Sequence, residues 1–142
     1  MKIPYSIPPG FCGPPRPFVE VSLKYRNRRR RILALADTGA DYCTFPREVG
    51  DALGIDVLSG RLDVMTGIGN VNYETYLHSI TLSIGGIEYR TDVAFSKDPD
   101  IPPSSVLGHI GFFNHFKVLF NSYEEYLFIK HIPIIDDPWP TP

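Results

Sequence analysis

Strand-forming, mostly apolar residues recur at every second position over long stretches of this chain: Val19, Val21, Leu23 and Tyr25, then Ile80, Leu82 and Ile84, then Ile87, Tyr89, Thr91, Val93 and Phe95. This period matches a strand, whose side chains alternate between two faces, rather than a helix, whose buried face returns every three or four residues. Each stretch therefore reads as a strand with one buried face. Gly85-Gly86 separates two of them, and two residues free to adopt positive φ make a tight hairpin turn. Helix is expected only from Pro46 to Leu53, opened by proline and stopped at Gly54, and from His109 to Phe116. The expected fold class is mainly β, with one or two short helices.

The 142 residues fit one domain, long enough to bury a core without a second one. Six prolines in residues 1–17 block helix and central strand, so this segment reads as a proline-rich N-terminal arm. Residues 133–142, PIIDDPWPTP, form a proline-rich C-terminal tail whose Ile134, Ile135 and Trp139 suit docking against another surface. A net charge of -2 and 43% hydrophobic residues describe a globular chain, not a disordered or generally basic one. Cys12 and Cys43 are too few for a disulfide framework. The N-terminus has one Lys and no apolar core of signal-peptide length, and no stretch approaches the roughly 18 apolar residues of a membrane span. A cytoplasmic protein with no membrane partner is expected. Lys24 to Arg31, KYRNRRRR, holds six basic residues. Lying between two apolar strands, it reads as a solvated hairpin tip, and a nucleic-acid partner is the weaker alternative.

The segment Arg31 to Pro46, RILALADTGADYCTFP, carries the chemistry. An apolar run, Ile32 to Ala36, delivers the chain straight into the carboxylate of Asp37. Asp and Gly are turn formers, so Asp37-Thr38-Gly39 alone does not separate a turn from a site. Its context is more specific. A buried β run precedes it, Gly39-Ala40 leaves no bulk beside the carboxylate, and an extended piece, Cys43 to Phe45, follows at once.

In that context LALADTGADYCTF resembles the active-site segment of the retropepsin-like aspartic proteases. Two further pieces fall in that family's order and approximate spacing. VMTGIGNV, Val64 to Val71, resembles the glycine-rich tip of the flap hairpin. SVLGHIGFFNHFKVLFN, Ser105 to Asn121, resembles the hydrophobic-hydrophobic-Gly signature with its short helix and following strand. The resemblance covers roughly residues 18 to 130 and implies a closed retropepsin-like β-barrel, the acid-protease fold, over residues 18–132.

The activity implied by the resemblance is that of an aspartic endopeptidase on extended peptide or protein substrates. Asp37 is the implied catalytic residue, and two carboxylates facing across a water share one proton, one acting as base and the other polarising the scissile carbonyl. Because the chain holds one such motif, the second Asp37 would come from a second copy, making the active species a homodimer with its site on the two-fold axis. In the family Thr38 bonds across that axis and Gly39 brings a main-chain N–H to the carboxylate, where a Cβ would obstruct it. Ala40 and Asp41 are implied to line the substrate cleft, with Thr66, Gly67, Ile68 and Gly69 closing over it as a flap. No metal or organic cofactor is implied.

Two departures stand out. His109 occupies the position after Gly108 where many family members have Arg, which puts a familiar dimer-stabilising contact with the Asp41 position in question. The proline-rich ends also differ from simple terminal strands, although Ile132 to Ile135 could still serve as one. His78, His109, His115 and His131 have no ligand spacing and read as structural or surface residues. A cysteine hydrolase on Cys43 has only residue identity behind it. A module that keeps the barrel for peptide binding or dimerisation without catalysis is the alternative function.

Overall fold

A computed structural model describes residues 1–67, 69–98 and 105–132. Among these described residues ten strands fall into two sheets. β2 (Phe18–Tyr25) and β3 (Arg28–Ala36) form a hairpin in full register from Phe18 opposite Leu35 to Tyr25 opposite Arg28. β4 (Thr44–Phe45) leads into α1 (Arg47–Ala52) and a 3-10 turn at Val57–Ser59. β5 (Arg61–Thr66), β6 (Asn72–Ile84) and β7 (Ile87–Ser96) make an antiparallel meander, and β8 (Val106–Leu107) follows.

The larger sheet runs β2-β3-β8-β4-β7-β6-β5, and a further pairing of β2 with β6 joins its two sides into a closed ring. β5 stays outside that ring, hanging on the first half of β6 as a projecting hairpin. Ring closure removes exposed sheet edges and leaves one interior to fill. That interior takes Val19, Val21 and Leu23 from β2, Ala34 and Ala36 from β3, Ile80, Leu82 and Ile84 from β6, and Val93 and Phe95 from β7. Those from β2, β6 and β7 are alternating residues of the sequence.

Gly85 and Gly86 both have positive φ, +58° and +80°, as the tight turn between β6 and β7 requires. α1 starts after Pro46 and ends before Gly54, whose φ is +77°. The expected second helix is absent. Residues 109–115 are turns, with an isolated bridge between Tyr42 and Ile110, and Phe116 already begins a strand; Gly111, at φ +106°, leaves the helical path, and its N–H is held by Asn114 Oδ1 at 3.0 Å.

The smaller sheet pairs β1 (Lys2–Pro4) with β10 (Tyr126–His131) and β10 with β9 (Phe116–Asn121). The proline-rich N-terminal arm is therefore docked: Tyr5 N–H donates to Glu125 O at 2.8 Å, and Phe11 packs edge-on against Phe18 at 5.4 Å between centroids. Ile132 N–H donates to His115 O at 2.9 Å, while the tail from 133 on, with Ile134, Ile135 and Trp139, lies outside the described residues. Among the described residues no helix is long and apolar enough to cross a membrane.

The basic run lies at the tip of the β2–β3 hairpin. Arg31 pairs with Glu20 at 3.5 Å, Arg28 donates to Ala52 O at 3.3 Å, and Arg26 covers the Tyr25 ring at 5.3 Å. Register aligns Arg29, Lys24, Thr81 and Arg90 in one row across four neighbouring strands.

Candidate active site

Asp37 is the first residue beyond β3, at the point where the strand leaves the barrel. The end of the strand is anchored by β8. Leu35 and Ala36 pair with Val106 and Leu107, and the Asp37 N–H donates to Leu107 O at 2.9 Å. Ala34 and Ala36 point into the core while Asp37 is only half-buried. The apolar run thus ends by holding a carboxylate at the barrel rim.

The loop after Asp37 folds back on it. Gly39 N–H donates to Asp37 Oδ1 at 2.9 Å and Ala40 N–H donates to Asp37 O at 3.2 Å. A Cβ on Gly39 would stand 3.3 Å from Asp37 Oδ1, closer than most such contacts, so glycine suits this close approach. Thr38 and Gly39 are exposed, Ala40 is buried and Asp41 is exposed.

The segment after β8 holds the other side of this loop. His109 N–H donates to Ala40 O at 2.9 Å, Ile110 N–H to Asp41 O at 2.8 Å, and Cys43 N–H to Ile110 O at 3.2 Å. The His109 ring reaches the loop as well, with Nε2 2.6 Å from Thr38 O. Val106-Leu107-Gly108 underlies the loop: Leu107 is fully buried, and a Cβ at Gly108 would come within 2.6 Å of two carbonyl oxygens, those of Ala40 and Tyr42. In the sequence His109 stands out as a departure from the family pattern and as one of four histidines read as structural or surface residues, and its ring contact with Thr38, 71 residues away, has no local signal.

Cys43 is fully buried and accepts the Gly108 N–H on Sγ at 3.4 Å. Burial pushes its thiol up to about 12, so neither the thiolate nor access to it is available, and a cysteine hydrolase built on Cys43 is overturned. The histidines have structural settings. His78 Nε2 lies 2.7 Å from Val57 O, His115 stacks on Tyr89 at 3.9 Å, and His131 meets the Phe116 ring edge-on at 5.7 Å.

Thr66, Gly67 and Gly69 fall where β5 turns into β6, while Ile68 lies outside the described residues. Thr66 Oγ1 donates to Asn72 Oδ1 at 2.7 Å, and Gly67 N–H donates to Val71 O at 2.8 Å, closing the hairpin tip. Gly69 has φ +82° and Asn70 φ +60°, the left-handed geometry of a tight tip. The hairpin meets the strand after the Asp37 loop through Thr44 Oγ1 and Met65 Sδ at 3.7 Å.

Comparison with known proteins bears on this arrangement of loop, underlying glycine and projecting hairpin. The sequence profile of the family described as aspartyl protease matches residues 21–109, which include the whole Asp37 loop and the hairpin. The chain belongs to the aspartyl protease family. Among solved structures, the protease of EIAV, determined in complex with the inhibitor HBY-793, is 26% identical over 66% of this chain and 82% of its own, with a TM-score of 0.51. A retropepsin-like aspartic protease from Rickettsia conorii matches 92% of this chain and 98% of its own, with a TM-score of 0.61 at 16% identity, a likeness of fold. No curated protein matches by sequence. Family and fold are thus those of the retropepsin-like aspartyl proteases, with the Asp37 loop and the β5–β6 hairpin inside the matched region.

Proposed function

We propose that the chain is an aspartic endopeptidase acting as a homodimer, each copy supplying one Asp37 to a shared water-activating pair. The observation that carries this reading is the setting of Asp37: a half-buried carboxylate fixed at the end of a barrel strand, accepting the Gly39 N–H at 2.9 Å, with one such loop per chain. A single carboxylate cannot act as general base and general acid at once. Two brought within about 3 Å across a two-fold axis cannot both ionise and share a proton.

In the proposed reaction the ionised Asp37 takes a proton from water as that water attacks the scissile carbonyl. The protonated Asp37 of the second copy gives its proton to the carbonyl oxygen, forming a neutral tetrahedral intermediate. On collapse the first Asp37 gives the proton it took from water to the departing nitrogen as the carbon–nitrogen bond breaks, and the second Asp37 takes back a proton from a hydroxyl of the intermediate, which restores the pair to its starting state. Thr38 and Gly39 support the loop. Ala40 and Asp41 contact substrate from the floor, and Thr66, Gly67, Ile68 and Gly69 from the flap, where main-chain hydrogen bonding suits an extended peptide of varied sequence. Residues 18–132 constitute the protease domain in this reading, with the arm and tail appended, and a cytoplasmic setting fits two unpaired cysteines.

Cleavage of a diverse peptide mixture by the wild-type protein and by Asp37→Asn, followed by mass spectrometry from about pH 4 to 7, tests the proposal. Asn keeps the shape of the side chain and removes its ionisation, so cleavage is expected from wild type alone. Equal cleavage by both, or none by either folded protein, would contradict it, the second outcome favouring a non-catalytic peptide-binding module.

A further inference from the structure

We infer that His109 is a positioning residue that clamps the Thr38–Gly39 peptide plane so that its N–H stays on the Asp37 carboxylate. The inference rests on the proposed catalytic role of Asp37, but its geometry is independent of it. One peptide unit carries both contacts. Its carbonyl, Thr38 O, is 2.6 Å from His109 Nε2, and its N–H, on Gly39, is 2.9 Å from Asp37 Oδ1. A carbonyl oxygen can only accept, so Nε2 carries the hydrogen and donates, whether the ring is neutral or protonated.

The clamp has a physical task. Thr38 and Gly39 are both exposed, and a peptide unit joined to glycine rotates between two orientations at little steric cost. Rotation would turn the N–H away from Asp37 and present a carbonyl in its place, setting oxygen against a carboxylate. The neighbouring loop bonds, Ala40 N–H to Asp37 O and His109 N–H to Ala40 O, fix the adjoining peptide but leave the Thr38 carbonyl to the imidazole. Donation to that carbonyl also polarises the unit and strengthens its N–H as a donor.

The ring is itself held. Phe113 packs on it at 5.3 Å between centroids, and Phe113 is in turn braced by Phe112 at 4.9 Å and Phe120 at 6.3 Å. The main-chain bonds of His109 and Ile110 to Ala40 and Asp41 do not use the side chain, so replacing the ring leaves the loop's backbone lacing in place.

His109→Phe keeps an aromatic ring against Phe113 and removes the donor, whereas His109→Gln keeps an N–H at nearly the same reach. Hydrogen exchange of the Gly39 amide, followed by NMR, is expected to quicken roughly tenfold or more in His109→Phe and to return towards wild type in His109→Gln. In peptide cleavage, kcat should fall roughly 10- to 100-fold in His109→Phe with KM nearly unchanged, and Gln should restore most of it. Unchanged Gly39 exchange in a folded His109→Phe protein, or loss that Gln does not restore, would overturn the clamp. If wild type proves inactive, the catalytic reading of Asp37 fails, and the Gly39 exchange rates still decide the clamp.

Discussion

A methyl group on Gly108 would lie 2.6 Å from the carbonyl oxygen of Tyr42, and the same distance from that of Ala40. Both carbonyls belong to the loop that starts at Asp37, and Gly108 is the residue on which this loop rests. Because the obstructing atoms are main-chain, they cannot swing aside. Gly108→Ala is therefore expected to lower stability by about 1–3 kcal/mol through overpacking, and to reduce any cleavage activity further by displacing the loop. Gly86 provides the contrast, with φ +80° but no atom of the described residues within 4 Å of the place a Cβ would take. Gly86→Ala should cost only about 1 kcal/mol of backbone strain and leave activity intact. Urea midpoints of the two variants check the difference.

The two cysteines should respond differently to a thiol reagent. Cys12 is exposed, while Cys43 is buried with its thiol pushed up to about 12 by that burial. At about pH 8 the folded protein is expected to take up one equivalent of label, on Cys12, and a second only on unfolding. Rapid labelling of Cys43 in the folded protein, located by peptide mapping, would contradict the packing of the Asp37 loop on β8.

Acid stability should depend on His115. It is 5% exposed, stacked on Tyr89, and both its burial and the nearby His131 lower its pKa from the ordinary 6.5. The unfolded chain then binds the proton more readily than the folded one. The contribution is complete above about pH 6.5 and shrinks as pH falls from there through the lower native value. Denaturation midpoints measured from about pH 7 down to pH 5 should fall less steeply in His115→Phe, which keeps the stacked ring and removes the titration.

The flap proposed at the β5–β6 tip carries a kinetic expectation. Gly69 sits at φ +82° with no atom of the described residues within 4 Å of the place a Cβ would take, so Gly69→Ala strains the tip without touching the core. Global stability should change by less than about 1 kcal/mol, while cleavage slows severalfold because the tip no longer bends freely over substrate. Wild-type rates from this variant would remove the tip glycine from the mechanism.

How much of this was legible in the sequence depended on range. The alternation of β2, β6 and β7, the Gly85-Gly86 turn and the Pro46-opened helix are local patterns, and each appears where the residues put it. The Asp37 loop was legible because an apolar strand, a carboxylate and two small residues are contiguous. Pairing of Lys2–Pro4 with Phe128 to Tyr126 joins opposite ends of the chain, and nothing in the proline-rich arm encodes that partner. The missing helix at 109–116 turned on Gly111, whose φ of +106° breaks the helical path that the apolar spacing suggests. The His109 contact to Thr38 required the fold before it could exist.

The central claim is that one catalytic site is assembled from two copies of Asp37, and co-refolding wild-type protein with increasing amounts of Asp37→Asn measures it directly. If the site is shared, every mixed dimer is inactive, and an equal mixture should show about half the activity per wild-type chain, falling further as the variant is increased. Activity per wild-type chain that stays constant at every ratio, with exchange of subunits verified by mass spectrometry, would mean that each chain acts alone and would contradict the shared pair.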